Sequence, residues 1–210
     1  MIQNKSNLIG LILAGGLSTR MNKEHKFLKK INKKKTLMEV IIERALKQVP
    51  KLIINANINK SNFKKFKLDI VKDSIKGFQG PLAGILSGME YAQKKNTKWI
   101  ATFPCDAPFF PDNLVKKLLN TGKKKKKDIV IVKCNSRLHP VFGIWSVKLK
   151  NSLKEALVKN QIRKIYKWIE INNFAVVNFN YNKLDPFFNI NDKKDLKKAN
   201  DIFKKIESSK

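Results

Sequence analysis

Four stretches of this sequence carry side chains for which a hydrophobic core has no use. In "LILAGGLSTRMNKEHK", Leu11 to Lys26, an apolar run stops at Ala14-Gly15-Gly16 and gives way to Arg20, Lys23, His25 and Lys26. Asn55 and Asn57 follow a second apolar run. Asp73 follows a third and precedes the "GPLAG" turn, Gly80 to Gly84. The fourth stretch is "PCDAP", which holds Asp106 between Pro104 and Pro108. These residue types suit phosphate chemistry. Glycines let backbone N–H groups approach an anion and form a concave nest of donors. Arg20 can grip a phosphate as a fork, and Lys26 supplies a point charge. Asp106 suits Mg2+, a hard cation held by one or two carboxylates plus substrate phosphates. Asp73 and Asn55 can read the donor–acceptor edge of a base or a ribose.

Taken singly, each stretch has a plainer use. "AGG" after a strand can be a tight turn, and it matches neither GxxxxGK[ST] nor GxGxxG. Asp106 could close a turn, His139-Pro140 could be a structural pair, and Cys105 a small core residue. No Ser/His/Asp or Cys/His nucleophile arrangement is present, which suits direct displacement without a covalent intermediate. The coincidence of all four is what points to a site.

Something must bring the four together. The uniformly apolar run 8–14 reads as a fully buried strand, and strand-length apolar runs over 51–57, 68–73, 98–104 and 128–133 as strands, with further strands over 139–147 and 174–179. Between them lie helical patterns: 36–49, with a Thr36–Glu39 capping box, 80–95, with Pro81 at N1, and 111–120. Helices also read over 147–159, 162–171 and 192–207, the last capped by Asp192. The run Lys123–Lys127 reads as a solvated loop. This alternation implies an α/β fold of three layers around a mostly parallel sheet, in one domain spanning 1–210. In such sheets ligands bind beyond the carboxyl ends of the strands, where all four stretches fall.

Bulk properties bound the alternatives. Hydrophobic residues make up 42% and charged residues 29%, with 13 Phe and 3 Trp, enough to build a core. No run reaches the ~20 apolar residues of a membrane span, and the N-terminal apolar run reads as a strand, not a signal peptide. The 2 cysteines, Cys105 and Cys134, make neither a disulfide framework nor a metal-binding spacing, so a reducing, cytoplasmic setting is expected. A net charge of +29 raises the question of a polyanion partner. Yet Arg20, Arg44, Arg137 and Arg163 are the only arginines, and lysine is spread through every segment beside Asn, Ile and Phe, the pattern of A/T-rich codons. With no RNP-like aromatic motif or zinc finger either, nucleic acid is not the expected partner.

The first stretch resembles the L-A-G-G-x-S-x-R-M-G-x-x-K signature of nucleotidyltransferases, and in particular of the molybdenum cofactor guanylyltransferases, which join GMP to molybdopterin. The likeness continues in order through "NAN", "DS", "GPLAGILSGM", "PCDAPFFP", "HPVFGIW" and "FNINDKKDL", across about the whole chain. It implies a Rossmann-like α/β/α nucleotidyltransferase fold and a Mg2+-dependent transfer of GMP from GTP to molybdenum-molybdopterin, releasing pyrophosphate. It also implies protein partners that deliver molybdopterin or receive the finished cofactor. Carried over by position, Leu13, Ala14 and Gly15 contact GTP through backbone, and Lys26 contacts its phosphates. Asn55 and Asp73 help bind guanosine, and Asp106 binds nucleotide and metal. Arg20, Lys26 and Asp106 are then the catalytic set. Asn191 lies near the metal, and His139 faces the pterin. Asn22 and His25 depart from the pattern, which carries Gly and Asp there. A cytidylyl- or sugar-phosphate nucleotidyltransferase is the nearest alternative, and a basic nucleic-acid-binding protein on a decayed enzyme fold the alternative of another class.

Overall fold

The apolar runs over 8–14, 51–57, 98–104 and 128–133 become strands buried on both faces, as parallel strands under helices must be, while 68–73 becomes a partly exposed edge strand. The structure, a computed structural model, describes residues 7–15, 26–31, 35–58, 60–75, 77, 80–181 and 185–208. Its strands are β1 (Leu8–Leu13), β2 (Leu52–Asn55), β3 (Asp69–Val71), β4 (Trp99–Pro104), β5 (Ile129–Cys134), β6 (Arg137–Ser146) and β7 (Phe174–Phe179). They form one sheet in the order β3-β2-β1-β4-β6-β5-β7. Among these strands β6 alone runs antiparallel, paired with β4 on one side and β5 on the other. The helices are α1 (Leu37–Leu46), α2 (Pro81–Lys94), α3 (Leu114–Lys125), α4 (Lys150–Val158), α5 (Ile165–Glu170) and α6 (Lys193–Ser208). One core layer takes side chains from α1, α3 and α6, the other from α2, α4 and α5. The three-layer α/β reading therefore holds.

Local chemistry sets the helix ends. At α1 the Thr36 N–H donates to Glu39 Oε2 at 2.6 Å, and the Glu39 N–H donates back to Thr36 Oγ1 at 3.3 Å. This capping box satisfies two donors that a helix start leaves open. The lysine run departs from its expected loop. Lys123–Lys125 form the last turn of α3, and Lys126 ends it in a left-handed conformation, with the Lys127 N–H donating to Gly122 O at 2.9 Å. Leu114, Leu118 and Gly122 keep one face of that helix buried, and cations in a last turn suit the helix dipole.

The register is what matters for a site. Leu13 pairs with Asn55 and with Pro104, and Asn55 pairs with Val71. Four strand ends thus stand level, and Gly15, Asn57, Asp73 and Asp106 each follow two residues beyond.

Candidate functional site

Between neighbouring strands the step is about 4.8 Å, so β3 and β4 lie roughly 14 Å apart, with β2 and β1 between them. Asp73 stands over one end of this row and Asp106 over the other. The ends are knitted together by backbone: the Ala14 N–H donates to Asn55 O at 2.9 Å, and the Cys105 N–H to Leu13 O at 3.2 Å.

At the β3 end, polar side chains form a connected set. Asn55, 2% exposed, donates from Nδ2 to Asp73 Oδ1 at 2.8 Å. Asn57 donates from Nδ2 to Asp73 Oδ2 at 2.7 Å and accepts from the Asp73 N–H at 2.9 Å. The first turn of α2 lies close against this group. Gly80 precedes the helix at φ 70°, a region that favours glycine, and Pro81 takes the first helical position as expected. A Cβ on Gly84 would stand 2.4 Å from Asn55 Oδ1, so only glycine lets the helix pack here. Buried Ser87 accepts the Ser74 N–H at 2.9 Å and ties down the backbone after Asp73. Nothing singled out Ser87 in the sequence, where it is one small residue on an apolar helix face.

At the β4 end, half-buried Asp106 sits in a turn whose continuation is clamped from the end of α1 and the turn just after it. Arg44 Nε and Nη2 donate to Phe110 O at 3.1 and 2.6 Å, and Gln48 Nε2 donates to Pro111 O at 3.1 Å. A strap leading into α6 crosses beside it: the Ile190 N–H donates to Asp106 O at 2.8 Å. This backbone bond brings the segment that carries Asn191 alongside the Asp106 turn. The Asn191 N–H donates to Asp195 Oδ2 at 2.7 Å, and the Asp195 N–H to Asp192 Oδ1 at 2.8 Å, so the start of α6 fixes the strap. A carboxylate and an amide oxygen are hard donors of the kind Mg2+ takes. Among the described residues no three His, Cys, Asp or Glu side chains gather to hold a metal by themselves. A divalent ion at Asp106 would complete its shell with phosphate oxygens and water.

His139 lies on the same sheet edge, at the start of β6 and beyond β4 from Asp73. It is 7% exposed, and its Nε2 is 3.0 Å from Asp185 Oδ2, an ion-pair distance that is out of line for a directed hydrogen bond. Burial lowers its pKa, and Asp185 opposes that shift. A β-bulge follows: His139 pairs with Val132 while Gly143 pairs with the adjacent Ile131, leaving Pro140, Val141 and Phe142 without ladder partners on β5. A bulge is where a proline fits a sheet, since no ladder donor is required of it. Buried Thr102 braces the bulge by donating to Val141 O at 2.6 Å. Asp185 was not foreseen from the sequence, because an Asp-Pro pair in a polar stretch reads as a turn. Gly16, Arg20, Asn22, Lys23 and His25 lie outside the described residues. Lys26 opens a short 3-10 helix, Lys26–Leu28.

Comparison with known proteins bears on the family and the fold. Residues 10–173 match the family model described as a MobA-like NTP transferase domain. The chain is 36% identical over 192 residues to a molybdenum cofactor guanylyltransferase of Nitrobacter hamburgensis, covering 90% of this chain and 91% of that one. It is 37% identical over 185 residues to the molybdenum cofactor guanylyltransferase of Yersinia pestis, covering 88% and 91%. Among solved structures it resembles the molybdopterin-guanine dinucleotide biosynthesis protein A of Archaeoglobus fulgidus, with a TM-score of 0.74, 25% identity, and coverage of 94% and 99%. A 4-diphosphocytidyl-2C-methyl-D-erythritol synthase of Anaerococcus prevotii, at 12% identity and a TM-score of 0.66, covering 95% and 97%, shares the fold. The chain belongs to the MobA-like NTP transferases, and its relatives place it with the molybdenum cofactor guanylyltransferases among them.

Proposed function

We propose that the protein transfers GMP from GTP to the terminal phosphate of molybdenum-bound molybdopterin. An acceptor oxygen bonds to the α-phosphorus, the bond from that phosphorus to the β-phosphate oxygen breaks, and pyrophosphate leaves with the electron pair. The observation that carries this reading is the level row of strand ends, with Asp73 over β3 and Asp106 over β4. A nucleotide stretched across β2 and β1 would meet Asn55 and Asp73 with its guanosine and Asp106 with its α-phosphate. The acceptor would approach from the β6 side, past His139 and the strap carrying Asn191.

Catalysis in this reading is positioning and charge neutralisation. The backbone of Leu13, Ala14 and Gly15 holds the nucleotide. Arg20 and Lys26 receive the charge that grows on pyrophosphate. Asp106, with Asn191 on the strap alongside, would hold Mg2+, which when bound neutralises phosphate oxygens. The setting we propose is the cytoplasm, and the partners are proteins that bring molybdopterin or take the product.

Titration calorimetry with GTP, CTP and ATP, each with Mg2+ at physiological salt, tests the nucleotide half. Saturable GTP binding that is weakened, but still measurable, in Asp73→Ala is expected. A preference for CTP would move the protein to cytidylyl chemistry, and binding of none of the three would overturn the reading. In the transfer assay, Asp106→Ala should abolish turnover with an unchanged circular dichroism spectrum. Lys26→Ala should lose on the order of 10²-fold in rate, as removal of an oxyanion donor does. Wild-type rates in Asp106→Ala would remove it from the metal role.

A further inference from the structure

We propose that Asn57 is a positioning residue that sets the Asp73 carboxylate for nucleotide binding, an inference that rests on the guanosine role given to Asp73 above. The β2–β3 ladder ends at Asn55 and Val71, with the Ala56 N–H donating to Val71 O at 3.0 Å. Beyond that point the Asn57 side chain takes over from the backbone. Its Oδ1 accepts from the Asp73 N–H at 2.9 Å, as the next carbonyl of a ladder would, and its Nδ2 donates to Asp73 Oδ2 at 2.7 Å. One carboxamide therefore fixes both the backbone and the carboxylate of Asp73.

The second carboxylate oxygen is fixed from the core. Asn55 Nδ2 donates to Oδ1 at 2.8 Å, and Asn55 itself is wedged under Gly84, where a Cβ would come within 2.4 Å of its Oδ1. A carboxylate offers about four acceptor positions over its two oxygens. Two are used by the asparagines, which leaves one on each oxygen, both with directions set before a ligand arrives. Asp73 stands at an exposed strand end, where without Asn57 it would have one anchor and could rotate about it. Ligand binding would then have to bear the cost of ordering it. The Asn57 amide also faces the candidate phosphate loop, since a Cβ on Gly15 would lie 3.7 Å from Asn57 Nδ2. Asn57 is exposed and Asn55 is buried. Asn57 can therefore be changed without disturbing the core, which makes its role separable from folding.

A double-mutant cycle tests this, read by calorimetry with GTP and with GMP, each with Mg2+ at physiological salt. The proteins are wild type, Asn57→Ala, Asn57→Asp, Asp73→Ala and the Asn57→Ala/Asp73→Ala double variant. Asn57→Ala should weaken GTP and GMP by the same factor, on the order of 10-fold, the scale of a hydrogen bond to a charged group. Its melting temperature should stay at the wild-type value. Asn57→Asp, which turns a carboxylate toward Asp73, should weaken both nucleotides at least as much. In the Asp73→Ala background Asn57→Ala should cost nothing further, because the group it positions is gone. Equal penalties in both backgrounds, or an Asn57→Ala affinity equal to wild type, would overturn the proposal alone. A wild type that binds neither nucleotide, or Asp73→Ala binding like wild type, would overturn the guanosine reading and the proposal with it.

Discussion

Gly84 and Gly88 sit one turn apart on α2 and differ in what an added methyl group would strike. At Gly84 it meets Asn55 Oδ1 at 2.4 Å and Leu13 Cδ2 at 2.6 Å; at Gly88 it meets Leu11 Cδ2 at 2.5 Å. Overpacking a core in this way costs roughly 1–3 kcal/mol. Both alanine variants should therefore lose similar stability in thermal denaturation, but only Gly84→Ala should also lose GTP affinity, by more than about 10-fold, since it displaces the amide holding Asp73. Equal affinity losses would make helix–sheet spacing the cause instead of Asn55. At this scale much of the candidate site is legible in the sequence. Asn55, Asp73 and Asp106 are polar residues ending apolar runs, where packing gives them no use. Asp185 and Ser87 are not legible, because their neighbours in sequence do not mark them and their partners, His139 and the Ser74 backbone, are distant along the chain.

Among the elements, α1 shows most directly how a few residues specify a helix. The Thr36 backbone hydrogen bond is the main cause holding the Glu39 carboxyl at about 2, against an ordinary value of 4.5. A carboxylate with a depressed pKa stabilises the fold above its unfolded value, and the contribution is lost as protons bind. The stability advantage of wild type over Glu39→Gln should therefore be full above pH 4.5 and shrink as pH falls toward about 2. Urea denaturation at several pH values would show it, and a gap constant with pH would contradict it. Thr36→Ala should cost about 1 kcal/mol at neutral pH, the usual value of an N-cap. The capping box could be read in advance because its signal is local, two residue types three apart. The end of α3 could not, because five lysines carry no apolar period. What extends the helix is the contact of Gly122 with Val130 and Ile144 across the layer, where a Cβ would stand 3.2 Å from each.

Taken whole, the molecule carries +29 with its lysines dispersed. Several lie along aromatic faces: Lys51 over Tyr91, Lys65 over Phe66, Lys117 over Phe179 and Lys198 over Phe188, with Nζ 4.6 to 5.3 Å from the ring centroids. There a lysine stem covers apolar surface while its charge faces the ring or water. Self-repulsion of this size is screened by salt. The melting temperature should therefore rise from low to physiological ionic strength, and GTP binding should survive that change. Affinity for non-specific DNA should collapse over the same interval. DNA binding that persists in salt, with GTP binding absent, would favour the nucleic-acid alternative.

The antiparallel strand β6 has a consequence for how the chain is made. β1 to β4 and the connections between them, α1, a 3-10 segment over Lys60–Phe66 and α2, can assemble in the order in which they leave the ribosome. β5 cannot join them, because its place is one strand removed from β4 and the intervening strand has not been synthesised. It must first fold back with β6 as a hairpin through Asn135, whose φ of 52° suits a tight turn. The hairpin then docks through the outer edge of β6, and β7 adds last along β5. The half bearing Asp73 and Asp106 can thus take shape on the nascent chain while the strap bearing Asn191 is still untranslated. Growth at the usual ~5–20 residues per second leaves several seconds between the two. Until the hairpin docks, the outer edge of β4 is unpaired, an open template for a foreign strand, and the docking of the hairpin is the natural point at which a chaperone would act.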